Sequence, residues 1–285
     1  MTHKKSSPFS RLIPKRFRPS RVVIPVIKLH GAIMTSRGGL ALSTLAPVLE
    51  KAFAKPSVKA VALSINSPGG SPVQSALIHD RIRQLAAKNN TQVLAFCDDV
   101  AASGGYWLAT AGDEIYANAA SIIGSIGVIA AGFGFVGTME KIGVERRVYT
   151  AGKNKLILDP FQPEKKSDVA RLKELQGDIH RQFIDHVRAR RAGKLPEDEG
   201  ELFTGAFWTG DKAKELGLID GIGTLHGILE EKFGDGVEVK MLDRNLGLLG
   251  KLGLPRAMTR QFGEDLTGSI LSGLEERALW QRYGL

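Results

Sequence analysis

Short apolar runs alternate with longer amphipathic ones from Val22 onward. "RVVIPVIKL" (21–29) predicts a strand, and the Leu- and Ala-rich stretch 41–55 predicts a helix that stops before Pro56. "VKAVALSI" (58–65) is short and rich in β-branched residues, the pattern of a strand buried on both faces. It runs into "NSPGGSP", after which 73–88 has helical periodicity. "TQVLAFC" (91–97) repeats the strand theme, followed by a second glycine turn around Ser103 and a helix near 105–111. "EIYAN", "GVIAAG" and "ERRVYTAG" predict short strands between glycine turns. Residues 164–192 carry the longest helical pattern, with Leu172, Leu175, Ile179, Phe183 and Val187 at three- and four-residue steps. Strand–helix alternation of this kind predicts an α/β core with parallel strands, and no internal repeat is present.

Beyond this core the pattern changes. Residues 1–20 are a Pro-, Ser- and Arg-rich arm without periodicity, 21–242 form the core, and 243–285 are expected to be a C-terminal helical extension. In that extension Leu266, Ile270, Leu274 and Ala278 define one helical stripe, suited to core or oligomer packing. The longest early apolar run, "VVIPVIKLHGAI", is broken by Pro25 and Lys28, well short of the roughly 18 residues that a membrane span needs.

Charge sharpens the picture of the arm. The net charge is +9, yet residues 1–49 hold nine Lys or Arg and no acidic residue, so the remaining 236 residues are balanced. Such an arm fits an anionic membrane surface, loose nucleic-acid contact or a solvated tail. Phe9, Leu12, Ile13 and Phe17 between the charges favour lipid, where each Lys or Arg contributes ~1 kcal/mol. A cytoplasmic chain, with peripheral contact at the inner face of the cell membrane, is the expected location, and no specific nucleic acid is expected as a partner. A single cysteine, Cys97, excludes an internal disulfide and a cysteine-based zinc site, and is expected to be buried.

The two glycine turns, "NSPGGS" and "AASGG", are one device used twice. Each sets backbone N–H groups at a helix N-terminus, where donors are unpaired and negative charge is favoured. Gly69, Gly70, Gly104 and Gly105 let a ligand approach the main chain. Neither turn matches a nucleotide-binding motif, so no cofactor is called for. Two uses of Ser103 stay open: a helix cap, or a nucleophile beside an oxyanion hole.

A nucleophile needs a base. None of the six histidines carries a local signature for that role: His3 lies in the arm, His30 follows the first strand, and His79, His180 and His186 sit on helices, with His226 near the end of the core. A lysine withdrawn from water can serve instead. "AGKNKLILDPF" offers Lys155, followed by Leu156, Ile157 and Leu158, while Lys153 in a more polar setting remains open.

With these residues the chain resembles the S49 serine peptidases, the signal peptide peptidase A/SohB family. The likeness covers about 22–242 and is carried in order by "SINSPGGS", "ASGGYWLATAGDEIYA", "GSIGVI", "AGKNKLILDP" and "FWTGDKAKELGLIDGIG". It implies a Clp-protease/crotonase-like spiral of ββα units in a single core copy. It also implies Ser103 as nucleophile and Ser125 as the hydroxyl that orients the lysine. The spacing of Gly152, Lys155 and Pro160 matches the family's pattern and favours Lys155 as general base. Gly70 and Gly104 would supply the oxyanion N–H groups. No metal is implied. A peptide or protein substrate is, in apolar or signal-peptide-like segments, as is a homo-oligomer in which neighbouring subunits share the dyad. Two other classes fit the same features: a crotonase-type acyl-CoA enzyme, which would not need Ser103, and a non-catalytic scaffold at the membrane.

Overall fold

A computed structural model describes residues 22–35, 39–152, 154–243, 273 and 276–284. The basic arm, Lys153, Leu266, Ile270 and Leu274 lie outside the described residues. The elements run β1 (Val23–His30), α1 (Leu42–Phe53), β2 (Ala60–Ser67), α2 (Pro72–Asn89), β3 (Gln92–Ala102) and α3 (Gly104–Ala109). They continue as β4 (Glu114–Ala117), β5 (Ile122–Gly124), α4 (Val136–Ile142), α5 (Lys166–Arg190) and β6 (Phe207–Thr209). The last are α6 (Gly210–Glu215), β7 (Gly221–Ile222), α7 (Leu225–Phe233) and β8 (Glu238–Leu242).

The strands form one sheet with central order β6-β5-β3-β2-β1-β8, and β4 and β7 branch from β3. All pairings are parallel except β5 with β6. Alternation sorts the side chains between two faces. Val61, Leu63 and Ile65 of β2, with Val93, Ala95 and Cys97 of β3, enter the larger core beneath α1, α2 and α3. Ala60, Ala62, Leu94 and Phe96 face a smaller cluster closed by Leu229 of α7. Burial on both faces is why these strands read as continuous apolar runs rather than alternating ones.

β3 does two jobs. Its first half pairs with β2 and β4, whereas Val100–Ala102 pair with β5, so the strand crosses from one neighbour to another near Asp98 and Asp99. That crossing sets Ser103 at the carboxyl end of the sheet, beside the turn that leaves β2. Ligand crevices in parallel sheets open at such ends.

Two segments differ from the sequence expectation. "GVIAAG" and "ERRVYTAG" form no strand, and the strand in this region is Ile122–Gly124 instead. Of the α5 stripe, only Phe183 and Val187 are buried, and Leu175 is exposed. Only the C-terminal half of this 25-residue helix meets the core, where Phe183 stacks on Trp107 of α3. In the extension Ala278 is exposed, while Leu279, Trp280 and Tyr283 are half-buried.

Candidate active site

The turn after β2 is shaped by its own small side chains. Ser67 Oγ accepts from the Gly69 N–H at 3.2 Å, and Ser71 caps α2 by accepting from Gln74 N–H, with Pro72 in the first turn. Gly70 bridges to Ile33 in parallel fashion: Ile33 N–H bonds the Gly69 carbonyl, and Ser71 N–H bonds the Ile33 carbonyl. In such a bridge the central residue's own N–H points away from its partner, so the Gly70 N–H is not used by Ile33. A side chain at Gly70, whose φ is +140°, would collide with the Ile33 carbonyl.

The turn after β3 interlocks with it. Ser103 has φ +53° and ψ −123°, a conformation that non-glycine residues rarely adopt. Its side chain makes no capping bond to α3. Its N–H is held by the Gly124 carbonyl at 2.8 Å, and its carbonyl accepts from Trp107 N–H, so the backbone is fixed while Oγ is left for other work. A Cβ on Gly69 would lie 2.8 Å from both Ser103 Cβ and Gly104 N. Two side-chain-free turns are therefore what allow this approach. Gly104 opens α3, and the N–H of a first helical residue has no partner within the helix.

Ser125 follows β5 with φ +52° and is 5% exposed. Its N–H bonds the Ala206 carbonyl at 2.7 Å, and its Oγ accepts from the Tyr283 hydroxyl at 3.2 Å. Ser103, Ser125 and Gly70 line one cleft of about 360 Å³, walled by apolar Pro68, Val128 and Ile129. The structure thus gathers three of the five residues expected from sequence in one cavity, with Gly104 adjoining.

Lys155 is not among the residues lining that cleft. It is exposed, and its N–H bonds the Gly152 carbonyl at 3.2 Å. It sits on a segment that leaves the sheet after Ser125 and returns at α5. That segment is held by Phe135 N–H on the Pro160 carbonyl, the Arg146–Asp159 ion pair at 3.3 Å and Phe135 stacked on Phe161. The histidines are spent elsewhere. His30 bonds Ser64 at 2.7 Å, His79 bonds Asp80 at 2.9 Å, His180 meets the Ile126 carbonyl at 3.1 Å, and His186 bonds Thr110 at 2.8 Å. His226 is exposed, and His3 is outside the described residues. Cys97 is buried, and burial pushes its thiol pKa far up, leaving an inert packing group.

Tyr283 and Phe207 are the site residues that sequence reasoning missed. The Tyr283–Ser125 contact joins positions 158 apart, and no local pattern marks Tyr283. No described helix is long and apolar enough to cross a membrane.

A model of Clp protease matches residues 43–126, which hold both glycine turns and Ser125, and it gives the sheet-and-helix core its fold class. The chain is 54% identical over 285 residues to a Brucella melitensis protein named Na(+)/H(+) antiporter NhaA, covering 96% of this chain. It spans only 39% of the length of that relative. A putative protease of Synechocystis is 36% identical, with 72% of this chain and 71% of that one covered. A putative signal peptide peptidase SppA of Enterococcus faecium is 32% identical, with 61% and 50% covered. A model of peptidase family S49 matches residues 86–238, more than half of the chain and inclusive of Ser103, Ser125 and Lys155. The chain belongs to peptidase family S49, a family of serine proteases.

Proposed function

We propose that this chain is a serine endopeptidase in which Ser103 is the nucleophile and Lys155 the general base. The observation that carries this is the state of Ser103. It is a strained serine, unused as a cap, on a turn that shares a cleft with Gly70 and Ser125. In the first step the neutral Lys155 amine takes the Ser103 hydroxyl proton while Oγ bonds the peptide carbonyl carbon. Negative charge moves to the carbonyl oxygen, where the Gly70 and Gly104 N–H groups receive it. One such donor is worth about 2.7–4 kcal/mol of barrier. The lysine ammonium then protonates the leaving amine as the C–N bond breaks. Water, deprotonated by the same amine, releases the acyl group. Ser125 Oγ would hold that amine in position. The apolar walls of the cleft favour apolar or signal-peptide-like segments as substrate. Because Lys155 is exposed and absent from the cleft of its own chain, the amine is assigned to a neighbouring copy of this chain.

A fluorophosphonate probe and a fluorogenic peptide panel test this with the wild type, Ser103→Ala, Lys155→Ala and Lys153→Ala. Ser103→Ala and Lys155→Ala should each lose at least about a thousandfold in kcat, in line with removal of a member of a catalytic unit. Full activity in Ser103→Ala would sink the nucleophile assignment and revive an acyl-CoA enzyme that uses the two N–H groups alone. Activity kept by Lys155→Ala and lost by Lys153→Ala would move the base two positions.

A further inference from the structure

The chain's own C-terminal segment lies across the Ser103 cleft. Residues 276–281 are helical, and Leu279 and Arg282 line the cleft together with Ser103 and Ser125. The Tyr283 hydroxyl donates to Ser125 Oγ at 3.2 Å, and its ring meets Phe207 edge-on at 5.2 Å. Phe207 pairs with Gly124, so Tyr283 is seated on the β5–β6 pair that also fixes Ser125. At the other end, a Glu276 carboxylate oxygen lies 3.6 Å from where a side chain on Gly31 would begin.

Ser125 is the hydroxyl assigned above to hold the lysine amine, and it is nearly buried. A phenol already bonded to that oxygen, backed by an aromatic contact, would compete with any lysine amine for the same hydroxyl. We infer that the C-terminal segment is a latch: Tyr283 and the base lysine compete for Ser125, and the site becomes active when the lysine displaces the tyrosine. This rests on the peptidase reading and adds its regulation. The docking is of the displaceable kind, because every described residue from 276 to 284 is half-buried or exposed. Since the two occupants exclude each other, whatever weakens the latch strengthens engagement of the lysine by the same factor.

The test uses the full chain as wild type, Tyr283→Phe and Leu279→Asp, with two readouts. Hydrogen exchange reports whether amides of 276–284 are protected, and the rate of fluorophosphonate labelling at Ser103 reports the state of the site. Tyr283→Phe removes one neutral hydrogen bond and should label about two- to tenfold faster than wild type. Leu279→Asp, which unseats the apolar contact, should label at least as fast and lose C-terminal protection. Combined with Lys155→Ala, Tyr283→Phe should bring no acceleration, since no lysine waits to enter. The latch is overturned if the wild-type segment is unprotected, or if Leu279→Asp loses protection while labelling keeps its wild-type rate. If no chain, wild type included, labels at Ser103, the peptidase reading falls and the latch falls with it. A labelled wild type with unaccelerated variants removes the latch alone.

Discussion

Ser103 and Ser125 both hold backbone angles with φ near +50°, a region that costs a serine about 1–3 kcal/mol. Gly69 and Gly70, also at positive φ, carry no such cost. Strain at Ser103 therefore separates what stabilises the fold from what serves chemistry. Ser103→Gly relieves the strain but adds about 0.5–1 kcal/mol of unfolded-chain entropy, whereas Ser103→Ala removes the hydroxyl and keeps the strain. The expected outcome is two inactive proteins, with Ser103→Gly more stable than Ser103→Ala by about 1 kcal/mol in urea denaturation. Equal midpoints would show that the strain does not exceed the entropy that glycine adds to the unfolded chain. The Ser103 turn was legible in sequence because its requirement is local: small residues flank one serine at a strand–helix junction. Tyr283 was not, because its role comes from a contact across the whole chain and from no feature of "WQRYGL" itself.

The elements behind Ser103 are held by aromatic and histidine contacts rather than aliphatic packing alone. Helix α3 is six residues long and wholly buried, too short to be stable without partners. Trp107 stacks on Phe183 and His186 of α5, and His186 meets His79 of α2 edge-on at 4.5 Å. Thr110, at the end of α3, bonds His186, and Arg190 bonds the carbonyls of Thr110 and Gly112. Burial, reinforced by His79 and Arg190, pushes the His186 pKa down to about 3. Burial also lowers His79, against the opposing pull of Asp80. Both rings are therefore neutral in the fold and take up protons on unfolding below their ordinary value of 6.5. Their contribution is fully present above that value and is lost as pH falls towards the folded one. Each histidine adds a slope of up to about 1.4 kcal/mol per pH unit across that window. His186→Phe, which keeps the stack on Trp107, should flatten the dependence of the urea midpoint between pH 7 and pH 5. An unchanged slope would place the acid sensitivity elsewhere. β1, β2, β4 and α2 were predicted to within a few residues, and β3 except for its last five, because burial leaves unbroken apolar runs there; β5 to β8, of two to five residues each, were not predicted. The two false strands have apolar residues too, but Ile129 and Tyr149 are exposed, and neither segment pairs with the sheet among the described residues. Periodicity reports that a face seeks a partner, not that the partner is in the same chain.

The segment between Ser125 and α5 concentrates that unmet demand. Phe133, Ile142 and Tyr149 are 82%, 64% and 91% exposed, and α4 buries no residue. An apolar surface of this kind suits another protein surface better than water. Lys155 belongs to the same segment, so one contact between copies would cover these side chains and deliver an amine to the neighbouring Ser103. A head-to-tail arrangement has a consequence that no single-chain dyad shares. Ser103→Ala still carries Lys155 and Lys155→Ala still carries Ser103, and each alone should be inactive. Unfolded together in equal amounts and refolded, they form four kinds of adjacent pair in equal number. One of the four joins an intact Ser103 to an intact Lys155, so about a quarter of wild-type activity should return. Refolded separately and then mixed at high dilution, the same chains should regain little, because subunits must exchange before sites can form. No recovery from the co-refolded mixture, in the face of normal assembly by light scattering, would require Lys155 to reach Ser103 within its own chain. The segment would then have to fold back over the cleft, and its exposed aromatic residues would need a different explanation.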